Sequence, residues 1–199
     1  MNPPGRNRRA FLKTAAATAS VLPFCLQAGG QDVSRKPERP QFSLAHLTVV
    51  GCAPPEMTYL AARVGYDFVS YRLITMHLPG EPIYDLTGNQ AMLRQTRTTL
   101  AETGLKVHDV ELARIQDGVD VKSYVPVLET AAELGAHHVI TSIWTADRNY
   151  EVNSLAALCD AGRKLDLTMN LEFVTWANVA SFHEAVAICR SVRRDNLGL

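Results

Sequence analysis

From Phe42 to Leu199, short apolar runs alternate with longer segments of helical period, and this alternation limits the fold more than any other feature. Strands separated by helices favour a parallel sheet, because each crossover returns the chain to the same edge direction. The pattern predicts strands at Ser43–Val50, Phe68–Ile74, Val107–Ile115, His138–Trp144 and Thr168–Val174, with Asn196–Leu199 opening a sixth. Helices are expected over Pro55–Val64, Asn89–Thr103, Val121–Leu134, Glu151–Leu165 and Val179–Val192. The first three run into Gly65, Gly104 and Gly135, where a left-handed C-terminal residue costs glycine little. Pro54 and Pro55 suit a first helical turn.

Two architectures fit this order, a doubly wound open sheet and a (β/α)8 barrel. A whole barrel takes about 250 residues, so if the fold is a barrel, five βα units and a further strand over residues 42–199 leave it truncated after about five units. No Gly-x-Gly-x-x-Gly follows a strand, which leaves a dinucleotide site without support.

The N-terminus has a different character. Asn7-Arg8-Arg9-Ala10-Phe11-Leu12-Lys13 precedes an apolar stretch from Thr14 to Leu26, and Ala28-Gly29-Gly30 follow. A charged segment, a short apolar core and small residues form a targeting peptide. The apolar run is too short for the roughly 20 residues of a spanning helix, so no stable membrane anchor is expected. The paired arginines resemble a twin-arginine export signal, which places the protein in the periplasm. Residues 31–41, with Pro37 and Pro40, read as a linker, and the folded domain occupies 42–199.

Net charge is zero, but residues 1–30 hold four of the 20 basic side chains and none of the 20 acidic ones. The remaining 16 against 20 give a weakly acidic body, a poor match to a nucleic-acid partner. Four cysteines without Cys-x-x-Cys spacing argue against a disulfide framework or zinc ribbon. Cys159 and Cys189 fall in apolar helical runs, as small buried hydrophobes do.

In either architecture the chemistry lies at the carboxyl ends of the strands. Glu172 is a carboxylate in an otherwise apolar predicted strand, costly unless paired, hydrogen-bonded or metal-bound, and is the first catalytic candidate. In Asp109-Val110-Glu111-Leu112, polar and apolar residues alternate, so Asp109 and Glu111 share the interior face and Leu112 points outward. Arg72 either binds a carboxylate, phosphate or sugar hydroxyl or pairs with Glu111 across neighbouring strands. His46 on strand one is a substrate candidate or a hydrogen-bonded core residue. Trp144 and Trp176 follow strands four and five and either wall a sugar pocket or pack on loops. His77 lies in the loop after strand two, His137 and His138 sit at the far end of strand four, and His183 is on a helix.

The runs Leu44-Ala45-His46-Leu47-Thr48, Gly65-Tyr66-Asp67, Asp109-Val110-Glu111-Leu112-Ala113-Arg114 and Asn170-Leu171-Glu172-Phe173 resemble the xylose-isomerase-like TIM barrel superfamily. Within it, they are similar to the sugar phosphate isomerase/epimerase family. The resemblance implies metal-assisted proton or hydride movement on a sugar or related polyol or keto compound. It implies a divalent metal (Mn, Zn, Mg or Co) held by Glu172, with an aspartate, a histidine and a second glutamate expected beyond Leu199. Substrate contacts are then expected from Arg72, Glu111, His46, Trp144 and Trp176. The rival readings are a non-catalytic truncated or periplasmic sugar-binding module and, against the charge, an endonuclease-like DNA-repair enzyme. A barrel of five and a half units also predicts homo-oligomers or aggregation through uncovered strand edges.

Overall fold

The computed structural model describes residues 39–199 of the chain. The proposed export signal and most of the linker therefore lie outside the described residues. The fold is a six-stranded sheet with β1 (Ser43–Ala45), β2 (Phe68–Arg72), β3 (Lys106–Ile115), β4 (His138–Ile143), β5 (Thr168–Leu171) and β6 (Leu197–Gly198). All five pairings are parallel and the strands follow one another in chain order. A doubly wound sheet reverses its order at a switch point. This sheet does not, so of the two architectures the pattern left open it is the singly wound arc of a barrel, as the family resemblance implies.

The helices are α1 (Pro54–Val64), α2 (Gln90–Thr103), α3 (Val125–Glu133), α4 (Arg148–Arg163) and α5 (Phe182–Val192). Their ends follow local chemistry. Prolines occupy the first turn of α1, where a missing N–H costs nothing, and Gly65 closes it at φ 89°. Asn89 caps α2 by accepting from the Met92 N–H at 3.0 Å. Asp147 caps α4 through two backbone N–H groups, and Ser181 with Glu184 forms a reciprocal capping box on α5.

Two boundary differences affect the site. The first predicted strand extends to Val50, but the chain leaves the sheet after Ala45 and turns into a 3-10 segment, His46–Val49. The predicted fifth strand extends to Val174, but β5 ends at Leu171. In both cases apolar residues continue past the last sheet hydrogen bond because they line the mouth of the barrel. A hydrophobic run does not distinguish that environment from a strand. The expected Val121–Leu134 helix also begins as a separate 3-10 turn, Val121–Tyr124, capped by Asp120.

The core lies between the helices and one face of the sheet. Val69, Tyr71, Val139 and Met169 meet Met57, Leu128, Leu155 and Ile188, all fully buried. Each such side chain contributes about 1.5–3 kcal/mol on burial. Gly162 allows α4 to approach β5 closely, since a Cβ there would stand 2.4 Å from the Met169 methyl and 3.3 Å from the Leu167 carbonyl. The opposite, interior face is polar. Ser43 Oγ and Ser70 Oγ are 2.8 Å apart, and Ser70 donates to Asp109 Oδ2 at 2.8 Å. Arg72 and Glu111, which pair in register, form the next layer towards the carboxyl ends.

Candidate active site at the carboxyl ends of the strands

A cavity of about 310 Å³ opens where β2, β3, β4 and β5 end. Its walls include Arg72, Glu111, Trp144, Glu172 and Trp176, five of the six candidate site residues. The strands place these side chains together because each lies at, or just beyond, the carboxyl end of its strand on the interior side.

Arg72 is the last residue of β2 and is buried. Its Nη2 donates to Glu111 Oε2 at 3.1 Å, so the cross-strand pair anticipated as one alternative exists. Its Nη1 donates to Glu81 Oε1 at 3.2 Å. Glu81, whose side chain is only 3% exposed, escaped the sequence reading. It lies in the turn-rich run Leu78-Pro79-Gly80-Glu81-Pro82, and the one available cue was a charged residue in the loop after β2. The same carboxylate accepts from Thr75 Oγ1 at 2.9 Å and from the Leu78 N–H at 3.0 Å. Burial pushes its pKa up, but these donors and Arg72 outweigh burial and hold it below the usual carboxylate range.

His46 belongs to the 3-10 segment, not to β1, and both of its ring nitrogens are engaged. Nδ1 accepts the Arg72 backbone N–H at 3.1 Å, which fixes the tautomer: Nε2 carries the proton and donates to the Cys52 carbonyl at 2.9 Å. The ring stacks on Tyr84 with centroids 5.7 Å apart. Burial is the main cause of its lowered pKa, opposed by the Cys52 hydrogen bond and Glu111. His46 is thus a neutral strut that sets the position of the Arg72 backbone. It lines a smaller neighbouring cavity of about 140 Å³ with Arg72, Glu81 and Tyr84.

Glu172 is the first residue after β5, so it is a strand-end carboxylate at the cavity mouth, exposed and not embedded in an apolar strand. Its N–H donates to the Thr141 carbonyl at 2.8 Å, which fixes the backbone from which the carboxylate projects. Desolvation by the surrounding walls raises its pKa, Glu111 raises it further, and Arg72 opposes both. A carboxyl with a raised pKa holds a proton more readily than a free one, which suits it to proton transfer.

Asp109 lies deeper, buried, and accepts from Ser70. Burial raises its pKa, against the Ser70 bond and the neighbouring His108. Leu112 departs from strict alternation. The β3–β4 register shifts between Val110 and Ala113, and Leu112 lines the same cavity as Glu111 instead of pointing outward. The remaining rim is apolar, with Leu47, Met76 and Phe173 beside Trp176. Trp144 donates its Nε1–H to Ser142 Oγ at 2.7 Å, which orients the indole against the cavity. His77 is exposed in the β2 loop away from the cavity lining, His138 begins β4 at the far end, and His183 is exposed on α5.

No protein-family model matches the chain, and no curated protein sequence does either. Solved structures do. A xylose isomerase-like TIM barrel protein from Mycobacterium smegmatis in complex with magnesium superposes with a TM-score of 0.62 at 17% identity, over 80% of this chain and 63% of that one. The fold is that of the xylose isomerase-like TIM barrels. The IOLI protein with a bound zinc atom gives a TM-score of 0.64 at 21% identity, over 80% of this chain and 62% of its own. A D-allulose 3-epimerase from Methylomonas sp. in complex with D-allulose gives 0.61 at 18% identity, over 81% and 62%. The chain thus spans about 60% of the length of these three proteins.

One of these structures holds zinc and another magnesium, which raises the question of whether the residues present here fit a divalent ion. Among the described residues no group of three His, Cys, Asp or Glu side chains could hold one. Glu172 and Glu111 share the cavity, but Glu111 is committed to Arg72. Catalytic ions ordinarily take three or so protein ligands with open positions beside them, so these residues do not by themselves make a metal centre.

Proposed function

We propose that this chain is a sugar isomerase/epimerase-like protein whose cavity binds a hydroxy-carbonyl sugar, or a related polyol or keto compound, and moves a proton on it. The observation that carries this reading is the convergence of Arg72, Glu111, Glu172, Trp144 and Trp176 in one cavity at the catalytic end of the barrel. The indoles offer flat apolar faces to the C–H side of a sugar, and the carboxylates accept from its hydroxyls. Glu172 takes the proton from the carbon next to the carbonyl, giving an enediolate with its charge on the former carbonyl oxygen. Isomerisation follows when Glu172 returns the proton to the neighbouring carbon and the hydroxyl proton passes to that oxygen. Epimerisation follows when solvent water delivers a proton to the opposite face and the proton on Glu172 goes to solvent. Arg72 pairs with Glu111 at 3.1 Å, and Glu111 raises the proton affinity of Glu172.

Glu172 is also the single carboxylate we assign as a ligand to a divalent ion, on the resemblance of Asn170-Leu171-Glu172-Phe173 to the family. Because the described residues do not complete such a site, the proton path above runs through side chains alone. Export through the twin-arginine signal at Arg8-Arg9 would place this activity in the periplasm.

A second reading is a non-catalytic sugar-binding module, for which the cavity walled by Trp144, Phe173 and Trp176 suffices without any proton transfer. One experiment separates the two. The chain is incubated with free ketohexoses in deuterated water, with and without manganese, and followed by proton NMR. Deuterium entering the carbon beside the carbonyl, lost in Glu172→Gln, supports the enzyme. Binding without exchange under either condition supports the module.

A further inference from the structure

We infer that the cavity is selective for uncharged, unphosphorylated sugars and discriminates against their phosphate esters. The inference rests on the sugar reading above and concerns which sugars that site admits.

Among the described residues lining the cavity, Arg72 is the only one with a permanent positive charge. A phosphate monoester carries roughly −1.5 to −2 charges near neutral pH, and its recognition normally uses a guanidinium fork, a lysine or backbone N–H groups. Arg72 is not free for that task. Nη1 faces Glu81, Nη2 faces Glu111, and Nε is buried from solvent without a partner. The side chain is 7% exposed, so no open fork faces the cavity. With both carboxylates ionised, the triad carries one net negative charge, and Glu172 on the same wall adds to it when it ionises.

Hydrogen bonding points the same way. Ionised Glu111 and Glu172 only accept, so they need a ligand rich in donors. Sugar hydroxyls supply donors, whereas a phosphate dianion presents acceptors to acceptors. The apolar part of the wall, Trp144, Phe173 and Trp176, suits the C–H face of a neutral ring and offers nothing to an anion. Glu81 is the residue that enforces this selection, although it is absent from the larger cavity's lining. Held by two further contacts, from Thr75 Oγ1 and the Leu78 N–H, it engages Nη1 of Arg72 and so occupies half of the guanidinium fork.

The test uses the full 199-residue chain in metal-free buffer, so its outcome is independent of the metal assignment. Both tryptophans of the sequence line the cavity, so intrinsic fluorescence reports on it. D-fructose, D-allulose and D-tagatose are each titrated against their 6-phosphates, with inorganic phosphate as the anion control. The free sugars are expected to perturb the emission, with the esters roughly tenfold or more weaker and inorganic phosphate silent. Glu81→Gln is expected to narrow the gap by strengthening the esters, because the triad's net negative charge is removed and the Arg72–Glu111 pair that remains is neutral. An ester that binds as tightly as its free sugar overturns the inference and leaves the sugar reading standing. If neither free sugars nor esters perturb the emission, the sugar reading falls and the inference falls with it. The wild-type comparison decides the matter even if Glu81→Gln fails to fold.

Discussion

Arg72 shows how a single side chain holds the interior of this arc together. It bridges two carboxylates that are themselves largely removed from water, Glu81 and Glu111 with 3% and 12% exposure. Removing one member of a buried charge cluster leaves the others desolvated and unpaired, and typically costs about 3–5 kcal/mol. Arg72→Ala is therefore expected to lower the unfolding free energy from urea titration by that amount, through a lower midpoint at unchanged slope. Arg72→Lys should recover little, because an ammonium cannot span two carboxylates as a planar fork does. Asp109 makes the opposite case. Burial raises its pKa, and its Oδ1 is buried without a partner. The folded protein therefore keeps the proton in a pH range where the unfolded chain has already released it. Its contribution is fully present below the ordinary aspartate pKa of 3.8 and is lost as pH rises through the native value. Asp109→Asn removes that loss. The variant should match the wild type at acidic pH and exceed it near pH 7–8 by about 1 kcal/mol, as thermal melts across pH would show. Ser70, His108, Glu111 and His138 surround the group, so a flat difference between the two melts would point to compensation by these neighbours and contradict the assignment.

At the scale of elements, helix ends were the most legible part of the sequence. The α5 N-terminus combines Ser181 accepting from the Glu184 N–H with Glu184 accepting from the Ser181 N–H at 3.0 Å. Ser181→Ala is expected to cost about 1 kcal/mol, read as a lowered melting temperature. The glycines at 65, 104 and 135 marked the ends of α1, α2 and α3, and each adopts positive φ, because a left-handed closing residue is a local requirement that local sequence reveals. Strand ends were less legible. Beyond Ala45 and beyond Leu171 the chain stays apolar while leaving the sheet, because those residues face a barrel mouth. The site followed the same division. Arg72, Glu111, Glu172 and the two tryptophans could be read from their positions after strands, whereas Glu81 could not. Its role depends on the loop after β2 folding back onto Arg72, a contact nine residues apart that no periodicity encodes. His46 was visible as a residue but not as a strut, since its partners are the backbone groups of Arg72 and Cys52.

For the folded unit as a whole, the open question is what its unpaired surfaces do in solution. Among the described residues, β1 pairs only with β2 and β6 only with β5. Open strand edges invite pairing with a second copy, but these edges are three and two residues long, and short edges are poor templates. The apolar mouth is the larger liability. Leu47, Phe173 and Trp176 are 56%, 43% and 78% exposed around one cavity, and Phe182 packs edge-on against Phe173 while itself 54% exposed. Clustered apolar surface of this kind drives association through water release, which ionic strength does not screen. Self-association is therefore expected to be hydrophobic, not edge-to-edge. The mass measured by light scattering should rise with protein concentration, persist or strengthen in high salt, and move towards monomer in the double variant F173S/W176S. Constant monomeric mass across the concentration series would rule this out. Dissociation by salt would instead place the contact on charged groups such as the exposed pair Arg97 and Glu133.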